Sequence, residues 1–317
     1  MGLFKEKIGF LFPGQGAQLV GMGKDLFDSS DQAKKVFSEA SAILGYSIEN
    51  ICFQGPVEEL TRTLYAQPGI FVTSIAMLRT VNARFPELTP SFSAGLSLGE
   101  FTALVAAGSI SFEEGLRLVQ IRAEAMENAA INNPGTMASI VGLSSNVCAE
   151  VASEAGCEVA NLNSPEQTVL SGTHASIESA CRIAEERGAK RAIPLKVGGA
   201  FHSSLMREAG DRLRQALGRT TIKAPFCTFI PNALAGAVND PEKIRELLSK
   251  QLTSPVRWVE TMQCASESGT HTFFEIGPGK VLKGLARKCQ PQLEVLPCGL
   301  AADLGKIDIL SNDLKTS

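Results

Sequence analysis

Three short apolar runs, each stopped by a glycine turn, constrain this chain more than any other feature. They are IGFLF before PGQG, SFSA before GLSLG, and THTFFEI before GPG. Runs of this length, bounded by turn residues, fit strands buried in a sheet. Between them lie helical stretches. SSDQAKKVFSEASAIL opens on Ser30 or Asp31 as N-cap, PGIFVTSIAMLRTVNARF is apolar enough to lie against a sheet, and another helix is expected from about Leu19. Strands alternating with helices predict an α/β fold with a mostly parallel sheet.

Between about residues 130 and 198 the rhythm changes. GTMASIVGL reads as a strand, SSNVCAEVASEAG as a helix, CEVANLN and QTVLSG as strands, HASIESACRIAEERG as a helix and AKRAIPLKV as a strand. This β-α-β-β-α-β order is the ferredoxin-like pattern. It predicts a small subdomain, 130–198, inserted into a larger α/β core made of 1–129 and 199–317. In the second part of that core a helix is expected near 205–218, a strand around CTFIP and a helix from Pro241 to Leu252. The polar segment from about 303 to 317 is expected to fray.

The 317 residues suffice for one large domain or two ordinary ones. A composition 44% hydrophobic and 20% charged is that of a soluble globular protein, and a net charge of −3 implies neither a nucleic-acid partner nor a polybasic membrane anchor. The N-terminal apolar run IGFLF ends at Pro13-Gly14, too short for a secretory signal or a membrane span. Eight cysteines, at 52, 148, 157, 181, 227, 264, 289 and 298, form no C-x-x-C pair and have no histidine at ligand spacing, so no metal site is expected. They read as reduced, mostly buried thiols of a cytoplasmic protein, or of a plastid or other organelle if a leader was removed.

Gly95-Leu96-Ser97-Leu98-Gly99 fits G-x-S-x-G, the strand-to-helix turn that presents a nucleophilic hydroxyl. SFSA before it and EFTALVAAG after it supply the required setting, and the N–H of Leu98 is placed to bind an oxyanion. Glu100, in the first helical turn, is explained by the helix dipole. In FPGQGAQLVG the phosphate-loop patterns fail. The loop is then either a plain turn or a place where backbone N–H groups approach a reacting oxygen.

A serine nucleophile needs a base, and the chain has three histidines, His174, His202 and His271. His271 opens a strand, at the wrong edge of a parallel sheet, and His174 opens a helix of the small subdomain. His202, after the Gly198-Gly199 loop, is the best placed, although spacing alone leaves a structural role open. Arg122, on the helix GLRLVQIRAEAMENA, is either a solvated surface arginine or a guanidinium holding a substrate carboxylate.

GQGAQ, GLSLGE, QIRAEAM, ANLNSP, GGAFHSSLM, SPVRW and EIGPGKVLKGL, in this order from about residue 8 to 300, together resemble the malonyl-coenzyme A:acyl carrier protein transacylases of fatty-acid synthesis. The resemblance implies an α/β-hydrolase-like core with a ferredoxin-like subdomain. It implies Ser97 as nucleophile, His202 as base, and the backbone carbonyl of Gln251 as the group that orients the imidazole. Gln15 and Leu98 would supply the oxyanion N–H pair, Arg122 would bind the malonyl carboxylate, and Asn163 would line the cleft. Phe201, just before the histidine, goes with malonyl rather than methylmalonyl. Leu96 departs from the histidine that many members carry there, which removes a polar contact to the acyl group.

The implied substrates are malonyl-CoA and phosphopantetheinylated acyl carrier protein. No cofactor is implied, since the coenzyme A thioester is a substrate, and a monomer is expected. The carrier protein is acidic, so a basic landing surface is expected among Arg187, Lys190 and Arg191, or Lys283, Arg287 and Lys288. Competing readings are a serine thioesterase using the same Ser97 and His202, an acyltransferase of a polyketide pathway, and a catalytically silent docking subunit.

Overall fold

The structure is a computed structural model that describes residues 7–308. Among these residues, nine strands form two sheets: β1 (Ile8–Phe12), β2 (Phe92–Gly95), β3 (Thr136–Val141), β4 (Glu158–Ser164), β5 (Gln167–Gly172), β6 (Arg191–Pro194), β7 (Thr228–Ile230), β8 (Thr272–Ile276) and β9 (Glu294–Cys298).

The first sheet has the order β7-β2-β1-β8-β9, and every neighbouring pair is parallel. Parallel pairs require crossovers, and the crossover helices cover both faces. All residues of β1, β2 and β8 are accordingly buried. Side chains alternate between the two faces. Phe10, Phe12 and Phe274 join the large core with Ile70, Val72 and Ile75 of the helix Thr63–Arg84, whereas Leu11, Phe92 and Phe273 pack with Trp258 and Leu282.

The second sheet has the order β4-β5-β3-β6, with every neighbouring pair antiparallel. Its elements follow in the predicted β-α-β-β-α-β order. One face, with Ala138, Ile140 and Leu170, packs on Val151 and Ile177 of its two helices. The opposite face turns Met137 and Val169 toward the first sheet. The loop before the helix Trp258–Glu267, whose Val256 packs with the first sheet, is tied to β4 by backbone bonds from Val256 N to Ala160 O at 2.8 Å and from Leu162 N to Val256 O at 2.9 Å.

Several elements differ from the sequence expectation. No helix starts near Leu19: the chain turns through Gly21 and Gly23, both at positive φ, and the helix is Lys24–Ser29. The helix expected from Pro68 begins at Thr63, because the Glu127 carboxylate accepts from Leu64 N at 3.0 Å and anchors the added turn. The last strand of the second sheet is only Arg191–Pro194, and the helix from Pro241 stops at Lys250 before a single tight turn over Gln251–Thr253. Residues 304–308 are helical, with Leu304 and Ile307 buried in the core; the rest of the expected fraying segment lies outside the described residues. The helices Ile48–Gln54, Val57–Thr61, Trp258–Glu267 and Val281–Cys289, and the edge strand β9, were not anticipated. Among the described residues no helix is long and apolar enough to cross a membrane.

Candidate active site

Parallel strands deliver all their carboxyl ends to one edge of a sheet. Here that edge receives the loop after β1 with Gln15, the turn after β2 with Ser97, the loop after β7 with Asn232 and the loop after β8 leading to Val281. A cavity of about 320 Å³ opens there, lined by these loops except Asn232 and, from the second sheet, by Met137, Asn161, Asn163 and Val169. A larger hollow of about 400 Å³ between the helices Phe112–Asn132 and Arg207–Leu217 contains none of the residues singled out from the sequence except the flanks of the Arg122 helix.

Ser97 occupies a sharp turn between β2 and the helix Gly99–Ala106, at φ 52°. A left-handed conformation in a non-glycine residue is strained and persists only where its surroundings hold it. The flanking glycines permit the turn: a Cβ on Gly95 would collide with the backbone of Gly99, and one on Gly99 with the backbone of Phe12. The turn is clamped from outside by Asn232, whose Oδ1 accepts from Ser97 N at 2.7 Å while its Nδ2 donates to Gly95 O at 2.7 Å. The sequence reading did not find Asn232. The signal available was its place directly after the end of β7.

His202, also at positive φ (58°) and 4% exposed, reaches the serine from the loop before Ser204. Its Nε2 lies 2.8 Å from Ser97 Oγ. On the other side Nδ1 meets two carbonyl oxygens, Gln251 O at 3.0 Å and Ser254 O at 3.2 Å. Carbonyls only accept, so Nδ1 carries the proton and Nε2 presents its lone pair to the hydroxyl. Burial, then the charge of Arg122, pushes the imidazole down to about 4, and the two carbonyls oppose that shift. The ring is therefore neutral at pH 7.

Arg122 is not a surface arginine. It is 1% exposed and donates from Nη2 to Ser97 Oγ at 2.9 Å, from Nη1 to Gln67 Oε1 at 2.6 Å, and from Nε and Nη2 to Gln251 Oε1 at 3.3 and 3.0 Å. Burial lowers the guanidinium to about 9, with Glu100 opposing, so it stays charged at neutral pH. Its neighbours are neutral oxygens, which leaves an anion-seeking group beside the hydroxyl.

Glu100 does more than face a helix dipole. It is 1% exposed, and its Oε2 accepts from Gln251 Nε2 at 2.7 Å and from Asn232 N at 3.1 Å. Burial raises it to about 7, opposed by Gln251, Asn232 and the Arg122 charge. Gln67 and the side chain of Gln251 likewise escaped the sequence reading, because their partners lie 52 to 154 residues away.

The other predicted residues fall as follows. Gln15, Leu96, Asn163 and Phe201 line the cavity. Leu98 follows the serine in the turn, and among the described residues neither its N–H nor that of Gln15 has an acceptor. His174 and His271 are exposed and outside the cavity. Of the basic candidates, Arg187 is paired with Glu150 and Glu154, and Lys190 with Glu166. Lys283, Arg287 and Lys288 are exposed on the helix Val281–Cys289, whose Val281 and Leu285 line the cavity. All eight cysteines are free thiols, and among the described residues no His, Cys, Asp and Glu cluster could hold a metal.

A hydroxyl facing a bare imidazole nitrogen, a buried cation beside it and two amides without an acceptor can support serine-dependent acyl transfer. Residues 9–306 match the acyl transferase domain family, and the chain belongs to that family. Within it the chain is 44% identical over 298 residues to the malonyl CoA-acyl carrier protein transacylase of Bacillus subtilis (strain 168), covering 92% of this chain and 93% of that protein. Among solved structures, the acyl-carrier-protein S-malonyltransferase of Burkholderia pseudomallei 1710b superposes with a TM-score of 0.91 at 41% identity, covering 95% of this chain and 99% of that one. A malonyl-transacylase in complex with its type II PKS acyl-carrier protein gives a TM-score of 0.92 at 36% identity, covering 97% of this chain and 100% of the other.

Proposed function

We propose that this acyltransferase moves a malonyl group from malonyl-CoA to the phosphopantetheine thiol of holo-acyl carrier protein, through an ester on Ser97. The observation that carries the reading is a single hydroxyl, Ser97 Oγ, held between His202 Nε2 at 2.8 Å and Arg122 Nη2 at 2.9 Å. Nucleophile, base and carboxylate-binding cation meet on one atom.

In the first half-reaction His202 Nε2 takes the Ser97 proton, and Oγ attacks the thioester carbonyl carbon. The oxyanion is received by the N–H groups of Gln15 and Leu98. The C–S bond breaks, the coenzyme A thiolate takes the proton from His202, and the malonyl-serine ester remains. In the second, the carrier thiol gives its proton to His202 and attacks the ester; the C–O bond breaks and Ser97 regains the proton. The backbone carbonyl of Gln251 holds the imidazole throughout.

Arg122 receives the malonyl carboxylate in a two-pronged pair, which an acetyl group cannot offer. Asn163 and Phe201 shape the cleft, Phe201 by leaving no room for a methyl branch. Leu96 gives the acyl group an apolar neighbour where a histidine would give a polar one. No cofactor is needed, because the thioester supplies the activated acyl group. The acidic carrier protein lands on Lys283, Arg287 and Lys288, which flank the cavity and are less committed to acidic neighbours than Arg187 and Lys190.

The same reading assigns the first sheet and its helices, 1–129 and 199–317, to an α/β-hydrolase-like core, and 130–198 to a ferredoxin-like insertion, supported by the strand order β4-β5-β3-β6. Eight free thiols fit a reducing cytoplasmic setting. The test is to supply malonyl-CoA and holo-acyl carrier protein and to measure malonyl-carrier protein against free malonate. Transfer in excess of hydrolysis is expected, while free malonate as the main product would assign a thioesterase instead.

A further inference from the structure

Arg122 and Glu100 are both buried, yet they do not touch. One side-chain amide, that of Gln251, stands between them. Its Nε2 donates to the Glu100 carboxylate at 2.7 Å and to Ser97 O at 2.9 Å, and its Oε1 accepts from Arg122 Nη2 at 3.0 Å. The backbone carbonyl of the same residue holds His202 Nδ1 at 3.0 Å. One residue thus contacts the base, the guanidinium and the carbonyl of the nucleophile.

The direction of this amide is not free. A carboxylate only accepts, and so does the Ser97 carbonyl, so the NH2 end must face both of them and the oxygen end must face Arg122. Glu100 is in turn fixed by Asn232 N at 3.1 Å, from the residue that clamps the serine turn. Reversing the amide would set N–H against N–H at Arg122 and oxygen against oxygen at both Glu100 and the Ser97 carbonyl, three buried mismatches of a costly kind.

We propose that Glu100 and the Gln251 side chain form a buried positioning relay that aims Arg122 at the acyl carboxylate, so that the relay, together with the arginine, sets the preference for carboxylate-bearing acyl groups. Glu100, together with the Ser97 carbonyl, holds the NH2 end of the amide; the amide supplies the acceptor that keeps Nη2 beside Ser97 Oγ, where the carboxylate of a bound acyl group falls within reach. Neither residue touches substrate, and both act through Arg122. The relay rests on the malonyl-transfer reading above.

The experiment is competition between equimolar malonyl-CoA and acetyl-CoA, with the two adducts on Ser97 counted by intact mass, and with a thermal melt on each variant. Gln251→Met keeps the backbone carbonyl and the volume but removes both ends of the amide. Glu100→Gln keeps an oxygen for Asn232 N and Gln251 Nε2 but removes the carboxylate charge, which weakens the bond that holds the amide. The malonyl-to-acetyl ratio is expected to fall by about tenfold or more in Gln251→Met, the size of one lost charge-assisted hydrogen bond, and by a smaller factor in Glu100→Gln. Glu100→Asp, an acceptor only, should restore part of the ratio. A ratio equal to that of the native chain in a folded Gln251→Met or Glu100→Gln overturns the relay, whether both adducts fall together or neither does. No adduct on the native chain overturns the malonyl-transfer reading itself, and the relay with it.

Discussion

Charged groups are held in opposite ways on the surface of this molecule and in its cavity. On the surface, Lys24 meets Asp28 at 2.7 Å and Arg117 meets Glu113 at 3.0 Å, with all four side chains more than half exposed. In the cavity, Arg122 and Glu100 are each 1% exposed and are joined through the Gln251 amide instead of touching. Water solvates the surface charges whether or not they pair, so the pairs contribute little. The buried charges have lost that solvation and depend on every hydrogen bond they make. The difference teaches where the chain is sensitive: direct ion pairs matter least, and amide-bridged groups without a counter-ion in contact matter most.

Substitutions can sharpen or break this contrast. The largest effect is expected for His202→Ala, which should lower transfer to acyl carrier protein by about 10²–10⁴-fold, the usual range for a lost general base. Arg122→Ala should reduce kcat/KM for malonyl-CoA by about 10²-fold and raise the relative acceptance of acetyl-CoA, since it removes two or three charge-assisted contacts. If malonyl and acetyl transfer fall equally, the buried cation has no part in selectivity.

A pH series probes the same contrast without mutation. Because burial holds His202 down at about 4, loss of the base should lower the rate about tenfold per unit below that value, while loss of the Arg122 charge, at about 9, bounds the pH range above. The stability linkage has a matching sign. The unfolded chain, with an ordinary imidazole near 6.5, binds the proton first as pH falls, so stability from this group is complete above 6.5 and is lost between 6.5 and 4. A decline at pH 6.5 that persists in Glu100→Gln would place the imidazole in water rather than in the core.

Asn232→Ala should cost about 1–3 kcal/mol in a denaturant melt, because Ser97 N and Gly95 O lose their buried partner. At the other extreme, Lys24→Ala should change stability by no more than about 0.5 kcal/mol. If the surface variant costs as much as Asn232→Ala, the contrast fails.

What could be read from sequence follows from the range of the forces involved. The β1, β2 and β8 strands announce themselves because short segments carrying apolar residues run into glycine turns, the pattern expected of strands buried in a parallel sheet. The β3-to-β6 segment was legible because each strand and helix has its own local periodicity. Helix Thr63–Arg84 was misplaced at its start because a distant carboxylate, Glu127, anchors the extra turn. The site divides in the same way. Ser97 is marked by neighbours two residues away, and Gly95 and Gly99 carry the whole motif. Asn232, Gln67, Glu100 and the Gln251 side chain carry no local mark, since what they bind is supplied by other parts of the fold.

The most direct test of the central claim is the intact mass of the native chain and of Ser97→Ala after mixing with malonyl-CoA alone. One malonyl adduct on the native chain and none on Ser97→Ala is the predicted result; an adduct on both, or on neither, would contradict the account.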